Sequence, residues 1–301
     1  MTADRAEATH DANTRIIWLS DLHFEDHGTV LGHDPRARLD AAISFINQSD
    51  AEADLCLISG DMVETATAAN YRALAAELDR RAIPWWPMTG NHDKRALFLE
   101  HLRLPKGAMP GFAQYAIELP QARVICLDSL NPGAASGLLC AERLDWLERA
   151  LLAEPDKATL VFLHHPPMAL DLPMLDPDRL ENGAALMDLL ARFPAVRQLC
   201  FGHVHRPVSG HIGRIAFSSL RSALYQAPPP VPPWDWESFT PAVEAPELGL
   251  ITLHDDQINI AFLPFCTASL GVNGVPNDEK APLTCAQFPI QPSAPPAMFL
   301  S

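Results

Sequence analysis

The sequence predicts an α/β layered fold, on three observations. Apolar runs short enough for buried strands alternate with longer stretches of helical spacing as far as residue 225. Hydrophobic residues make up 48% of the 301, enough for a sizeable core and too many for a disordered chain. Polar motifs rich in Asp, Asn and His stand just past the ends of the apolar runs, where an open α/β sheet gathers its loops.

The predicted strands are Arg15–Ser20, Asp54–Ser59, Pro84–Met88, Arg123–Leu127, Thr159–Leu163 and Gln198–Phe201, each near-continuously apolar as a strand buried on both faces must be. Between them, Leu39, Ile43 and Ile46 share one helical face behind an Asp34-Pro35 start, with Asp suited to cap and Pro to the first turn. Tyr71, Leu74, Ala75 and Leu78 mark a second helix, and Leu144, Leu147 and Leu151 a third. Leu186, Leu189 and Leu190 mark a fourth, with a second Asp-Pro start at Asp176-Pro177. After Tyr225 the texture changes. Residues 227–246 are too dense in proline for helix or central strand. Leu248–Leu253 and Gln257–Leu263 then suit a hairpin turning at His254–Asp256. The expected organisation is a leader over 1–13, a core over 14–225, and a proline-rich extension over 226–301 that forms a cap, a hairpin and a possible contact between copies of the chain.

The net charge of -15 disfavours a nucleic acid polymer as partner, because backbone phosphates are normally met by Lys and Arg. A small phosphate ester is less constrained, since bound cations can supply positive charge locally. No apolar run approaches the ~18–20 residues that span a bilayer, so no membrane partner is expected. The polar N-terminus lacks the apolar stretch of a secretory signal. The six cysteines form no CxxC, and Cys56, Cys126 and Cys200 sit in apolar runs, which suits a reduced, cytoplasmic protein. Whether Cys266 and Cys285 pair is left open.

Five motifs carry the chemistry: Ser20-Asp21-Leu22-His23, Ser59-Gly60-Asp61, Gly90-Asn91-His92-Asp93, His164-His165-Pro166-Pro167 and Gly202-His203-Val204-His205. Singly, each is ordinary turn or strand-end chemistry. Jointly, always after an apolar run, they point to oxygen and imidazole donors gathered at one sheet edge. With no thiolate among them, the donors suit Mn, Fe, Zn or Co and are too rich in nitrogen for Ca or Mg alone. Asp-x-His and His-x-His place donors one residue apart, and on an extended strand such residues face the same way. Gly60, Gly90 and Gly202, each just before a donor, permit close backbone approach. Asp93 and His165 are candidates to orient the donors, while His27 and His33 lie in the loop after the first motif and are candidates to touch substrate. His10, His101, His211 and His254 have no supporting motif.

At these motifs the sequence resembles the calcineurin-like metallophosphoesterase superfamily, above all its class III cyclic nucleotide phosphodiesterases and bacterial glycerophosphodiesterases. The resemblance covers roughly residues 15–225 and includes Ala96-Leu97-Phe98-Leu99-Glu100 and Glu181-Asn182-Gly183. It implies a four-layer αββα sandwich and two divalent or trivalent metal ions. Asp21, His23 and His205 would hold one ion, Asn91, His164 and His203 the other, and Asp61 would bridge. His92 would donate to the phosphoryl group and leaving oxygen, and a hydroxide between the metals would attack phosphorus. Some glycerophosphodiesterase relatives have histidine where Tyr225 stands here, in the stretch expected to face substrate. The expected function is hydrolysis of small phosphodiesters such as 3′,5′-cyclic nucleotides or glycerophosphodiesters. A phosphomonoesterase or protein phosphatase on the same scaffold, or a metal-free scaffold protein, stays open at this stage.

Overall fold

The computed structural model describes residues 14–49, 52–231, 235–237, 239–254 and 257–266. The first sheet is built on β1 (Thr14–Leu19), which runs parallel to β2 (Leu55–Ile58), itself parallel to β3 (Trp85–Pro87). The second joins β4 (Tyr115–Glu118) antiparallel to β5 (Arg123–Cys126), followed by parallel β6 (Thr159–Leu163) and β7 (Val196–Phe201). Beyond β7, the pair β8 (Ser209–Ile212) and β9 (Ile215–Ser219) closes this sheet in the order β4-β5-β6-β7-β9-β8.

The helices are α1 (Pro35–Ser49), α2 (Ala68–Leu78), α3 (Arg95–His101), α4 (Ala141–Ala153) and α5 (Gly183–Ala191). Strand parity fixes the layers. Ile17 and Leu19 of β1, with Cys56 and Ile58 of β2, share a core with α1, α2 and Phe98 of α3. Ile16, Trp18, Leu55 and Leu57 face the other way and meet Val124, Cys126, Leu160 and Phe162 of the second sheet. The far face of that sheet, through Ile125, Val161, Leu163 and Leu199, packs on Leu147 and Leu151 of α4 and on Leu186 and Leu190 of α5. Helix, sheet, sheet and helix thus form the four layers that the resemblance implies.

The predicted strands and hairpin appear within two residues of their expected ends. The hairpin strands, β10 (Glu247–His254) and β11 (Gln257–Pro264), extend the first sheet: β10 pairs antiparallel with β1 on one side and with β11 on the other. The core sheet therefore reaches past residue 225, because β1 has a free edge that the chain returns to fill. The leader, residues 267–301 and with them Cys285 lie outside the described residues. The thiols read from the apolar runs, Cys56, Cys126 and Cys200, are free and buried, and Cys140 is free as well.

Asp34 begins α1 as expected, its carboxylate accepting from the Ala37 N–H at 3.0 Å. Asp176-Pro177 does not begin a helix in the same way. Its carboxylate turns back to accept from Leu170 N–H (2.8 Å) and Leu172 N–H (3.2 Å), so it closes the preceding loop and only a 3₁₀ turn (Asp176–Asp178) follows. The fourth helix starts later, at Gly183, where an added Cβ would fall 1.9 Å from the Pro167 carbonyl oxygen. The short elements α3, β4, β8 and β9 were not predicted as such. Neither β4 nor β8 shows an unbroken apolar run, and β8 is mostly exposed. Among the described residues no helix is long and apolar enough to cross a membrane.

Trp18 locks the two sheets together. It is fully buried, meets Phe162 edge-on at 5.6 Å, and donates its indole N–H to Ser59 Oγ at 2.8 Å. Trp18→Ala should lower stability by ~3–5 kcal/mol in denaturant unfolding, whereas Leu152→Ala, at a side chain 58% exposed, should change it by no more than ~0.5 kcal/mol.

Candidate metal centre

Each motif begins where its strand ends. β1 stops at Leu19 and β2 at Ile58, and their loops continue side by side: Asp21 N–H donates to the Gly60 carbonyl (3.1 Å) and His23 N–H to the Asp61 carbonyl (2.9 Å). The loop after β7 joins through His203 N–H, which donates to Asp21 Oδ1 at 3.0 Å. The loop after β3 joins through His92 N–H, which donates to Asp61 Oδ1 at 2.9 Å. The segment after β9 closes the ring, with Ser222 Oγ donating to the Asp21 carbonyl (2.9 Å) and Ala223 N–H to the Ser20 carbonyl (2.9 Å).

The i, i+2 donors do not converge through strand pleating, as the sequence suggested. Asp21, His23, Asp61, His203 and His205 all adopt left-handed backbone, with φ of 54°, 42°, 46°, 70° and 49°. Asp and His tolerate this region better than branched residues do. Such strain concentrates at functional sites, and here the inter-loop hydrogen bonds hold it.

Two donor groups result. In the first, ring nitrogens Nε2 of His23 and His205 face each other at 3.1 Å, with Asp21 Oδ1 3.4 Å from His205 Nε2. In the second, Asn91 Oδ1 lies 3.1 Å from His164 Nε2 and 3.0 Å from His203 Nδ1. Asp61 Oδ2 faces both groups, 3.7 Å from His23 Nε2 and 3.3 Å from His164 Nε2. All seven residues named from the sequence are brought together.

The hydrogen bonds of the far ring nitrogens decide which nitrogen of each imidazole faces the pocket. His164 Nδ1 donates to the Ser59 carbonyl (2.8 Å), and His205 Nδ1 to the Tyr225 carbonyl (2.9 Å). A carbonyl only accepts, so each Nδ1 carries a proton, and Nε2 is the atom left to face the pocket and to offer a lone pair once deprotonated. His23 Nδ1 meets the Glu64 carboxylate at 2.7 Å, with the same consequence. Lone pairs and carboxylate oxygens therefore converge. Asp21 and Asp61 are buried, and among the described residues their charged partners are histidines, not Lys or Arg. Buried carboxylates need compensating positive charge, and this donor set fits divalent cations.

The titration behaviour points the same way. Burial opposes ionisation of Asp21, but His205 and His164 outweigh it and bring its pKa down to about 2. Asp61 is held well below the usual range against burial by His164 and His92. Burial works against charge on His164, yet Asp61 and Asp21 raise its pKa to about 9. The two carboxylates thus draw positive charge to His164, while burial holds the neighbouring His23 and His203 below the usual imidazole range.

His92 stands beside both groups with its side chain 19% exposed and its ring 4.7 Å from that of His23. Its Nδ1 donates to the Glu64 carbonyl at 3.2 Å, which leaves Nε2 to meet a ligand. Glu64 had no signal in the sequence, being a single carboxylate outside the motifs. It touches His23 Nδ1 directly and approaches His92 Nδ1 at 3.4 Å. Asp93 does not touch the donors; it accepts from Gly90 N–H (2.9 Å), Met62 N–H (3.2 Å) and Tyr71 O–H (2.8 Å), and so shapes the Asn91 turn. His165 donates from Nε2 to the Ala135 carbonyl (3.1 Å) and pairs through Nδ1 with Ser129 Oγ (2.8 Å), so no lone pair is left for a metal. It instead supports the His203 ring at 4.9 Å. Of the flanking histidines, His27 is 92% exposed beside Asp26 and His33 sits against Arg38, and neither joins the donors.

Two facing mixed sheets wrapped by helices, with Asp, Asn and His donors gathered at the strand ends, are the fold and site of a metal-dependent phosphoesterase. Residues 14–207 match the calcineurin-like phosphoesterase model, and the chain belongs to that family. It is 36% identical to a probable cyclic nucleotide phosphodiesterase of Rhodopseudomonas palustris, over 70% of this chain and 79% of the relative. It is 33% identical to a glycerophosphodiester phosphodiesterase of Enterobacter lignolyticus, over 71% and 78% of the two chains. It is 32% identical to a 3′,5′-cyclic adenosine monophosphate phosphodiesterase of Pseudomonas aeruginosa, over 82% and 88%. A dimetal phosphatase from Danio rerio shares the fold at a TM-score of 0.63 and 15% identity, over 84% of this chain and 96% of that one.

The donors require close backbone approach at Gly90. A Cβ there would lie 2.2 Å from Asp61 Oδ1 and 2.4 Å from the Asp61 backbone nitrogen. Gly90→Ala should therefore displace Asp61 and reduce bound metal in the purified protein, as read by elemental analysis, with far-UV circular dichroism retained.

Proposed function

We propose that this chain hydrolyses small phosphodiesters at a centre of two cations. Asp21, His23 and His205 hold one, Asn91, His164 and His203 the other, and Asp61 belongs to both. The observation that carries this reading is Asp61 Oδ2, a single carboxylate oxygen aimed at His23 on one side and His164 on the other. The nitrogen-rich donor set favours Mn, Fe, Zn or Co.

When bound, such cations supply Lewis acidity toward the phosphoryl oxygens and activate water. The chain's own residues do the rest. The peptide carbonyls of Ser59 and Tyr225 keep His164 and His205 in the metal-binding tautomer. His92 presents Nε2 to the phosphoryl group and protonates the departing alkoxide, while Glu64 holds its Nδ1 side through the backbone carbonyl. Burial opposes the imidazolium of His92, but Asp61 and Glu64 outweigh it and raise its pKa, which favours the acid form. Glu64 also fixes the His23 ring through its carboxylate, so one residue positions both a cation donor and the acid.

The relatives named above act on cyclic nucleotides or glycerophosphodiesters, and their similarity supports a diester substrate here. Metal-reconstituted enzyme should hydrolyse bis-aryl phosphates faster than mono-aryl phosphates; the reverse order would favour a phosphomonoesterase. Asp61→Ala should lose metal from both positions, and full occupancy with normal turnover would contradict its shared role. His92→Ala should keep its metals yet slow esters of glycerol or ribose by ~10²–10⁴-fold, with a smaller loss on activated aryl esters. Glu64→Ala should weaken metal affinity by ~10–100-fold in metal titrations.

A further inference from the structure

We propose that Asp128 and Arg95, which stand outside the donor set, are positioning residues for the Asn91–His164–His203 group and set the affinity of that cation site alone. The inference rests on the two-cation reading above and goes beyond it by tying one cation to a buried ion pair between the two sheets.

Asp128 lies just past the end of β5 in the second sheet, and Thr89 just past the end of β3 in the first. The Asp128 carboxylate is fully buried and grips both flanks of the loop that presents Asn91 and His92. On the near flank, Thr89 Oγ1 donates to Asp128 Oδ1 at 2.9 Å. On the far flank, Arg95 donates from Nε to Oδ2 at 2.7 Å and from Nη2 to Oδ1 at 3.0 Å, a two-pronged pair of fixed geometry. Residues 90–94 are thus strung between two points held by one side chain. Oδ1 also accepts from Leu130 N–H (3.1 Å) and Oδ2 from Ala113 N–H (2.9 Å), so the carboxylate has no freedom to turn.

The same anchor reaches the other two donors of that group. The next residue, Ser129, bonds His165 Nδ1 at 2.8 Å, and the His165 ring lies 4.8 Å from that of His164 and 4.9 Å from that of His203. The segment that carries Ser129 is itself clamped. Arg95 Nη2 and Arg143 Nη1 both donate to the Leu130 carbonyl, at 2.7 Å and 3.2 Å, and both guanidinium groups lie 5.1 Å from the centre of the Phe112 ring. The rings of His23 and His205 are held elsewhere, by Glu64 and the Tyr225 carbonyl, and the Asp21 backbone by Gly60 and Ser222. A buried ion pair is a weak source of net stability, because desolvation offsets its attraction. What it does supply is fixed geometry, and partners that orient metal donors are worth ~10–100-fold in metal affinity.

The test titrates the metal-free full chain with Mn²⁺ by isothermal calorimetry in two backgrounds. His205→Ala leaves the Asn91–His164–His203 group intact, and His164→Ala leaves the Asp21–His23–His205 group intact. Arg95→Lys keeps the charge and loses the fork. It should weaken Mn²⁺ binding by about tenfold or more in the first background and by less than about twofold in the second. Thr89→Val, which keeps the shape and removes one hydrogen bond, should show the same selectivity at smaller size. Thr89→Ser, which keeps the hydroxyl, should match its unaltered background. The two Thr89 variants carry the test if Arg95→Lys fails to fold. A merely structural role would shift both backgrounds together, so equal loss in both, or loss in neither, overturns the inference and leaves the two-cation reading in place. A wild-type chain that takes up fewer than two Mn²⁺ ions removes that reading, and this inference with it.

Discussion

The convergence of buried acceptors at Asp61 is the constraint on which the rest depends. Two carboxylates and the lone pairs of several imidazoles meet in a pocket that among the described residues has no Lys or Arg charge partner. In isolation that arrangement is repulsive. It persists because the backbone around it is over-determined: each donor loop is hydrogen-bonded to the next, and left-handed residues are locked by those bonds. The strain of the loops and the affinity of the site for cations are two sides of one construction.

The sandwich makes this possible by aligning strand ends. β1, β2 and β3 run parallel, as do β5, β6, β7 and β9, so the loops that follow them leave from corresponding ends of their sheets. Trp18 and Phe162, each next to last in its strand, hold the two sheets together just behind Asp21 and His164. The return of β10 to the open edge of β1 stiffens the strand that delivers Asp21 and His23. Stability and function therefore share β1: its inward residues build two cores, and its last bonds aim two donors.

Outer interactions divide the labour more finely than the motifs suggest. Peptide carbonyls, not acidic side chains, set the tautomers of His164 and His205. A carboxylate, that of Glu64, stands instead between His23 and His92, 2.7 Å and 3.4 Å from their Nδ1 atoms. His165, although adjacent to a donor, is neutral and fully engaged; burial and the neighbouring His164 and His203 hold its pKa well below the usual range. Adjacent histidines in one motif thus have unlike roles because one ring faces the shared pocket and the other faces Ser129 and Ala135.

Taken alone, the sequence determined the period of each long element, the strand–helix order and which Asp, Asn and His residues are candidates to meet at one site. These follow from local rules: apolar runs bury, helical spacing makes a stripe, and Asp, Asn and His after a strand have the right atoms. It could not supply what depends on contacts between remote segments. The hairpin at Glu247–Pro264 was legible as a hairpin, but its place against β1 follows from an unpaired edge formed far away in the chain. Asp34-Pro35 and Asp176-Pro177 look alike, and only the loop behind the second decides that its carboxylate turns backward. Glu64 carries no local pattern, since its place is set by the His23 and His92 rings contributed by other loops. Chemistry is written in residue types, whereas geometry is decided by which backbone groups across the fold are left needing a partner.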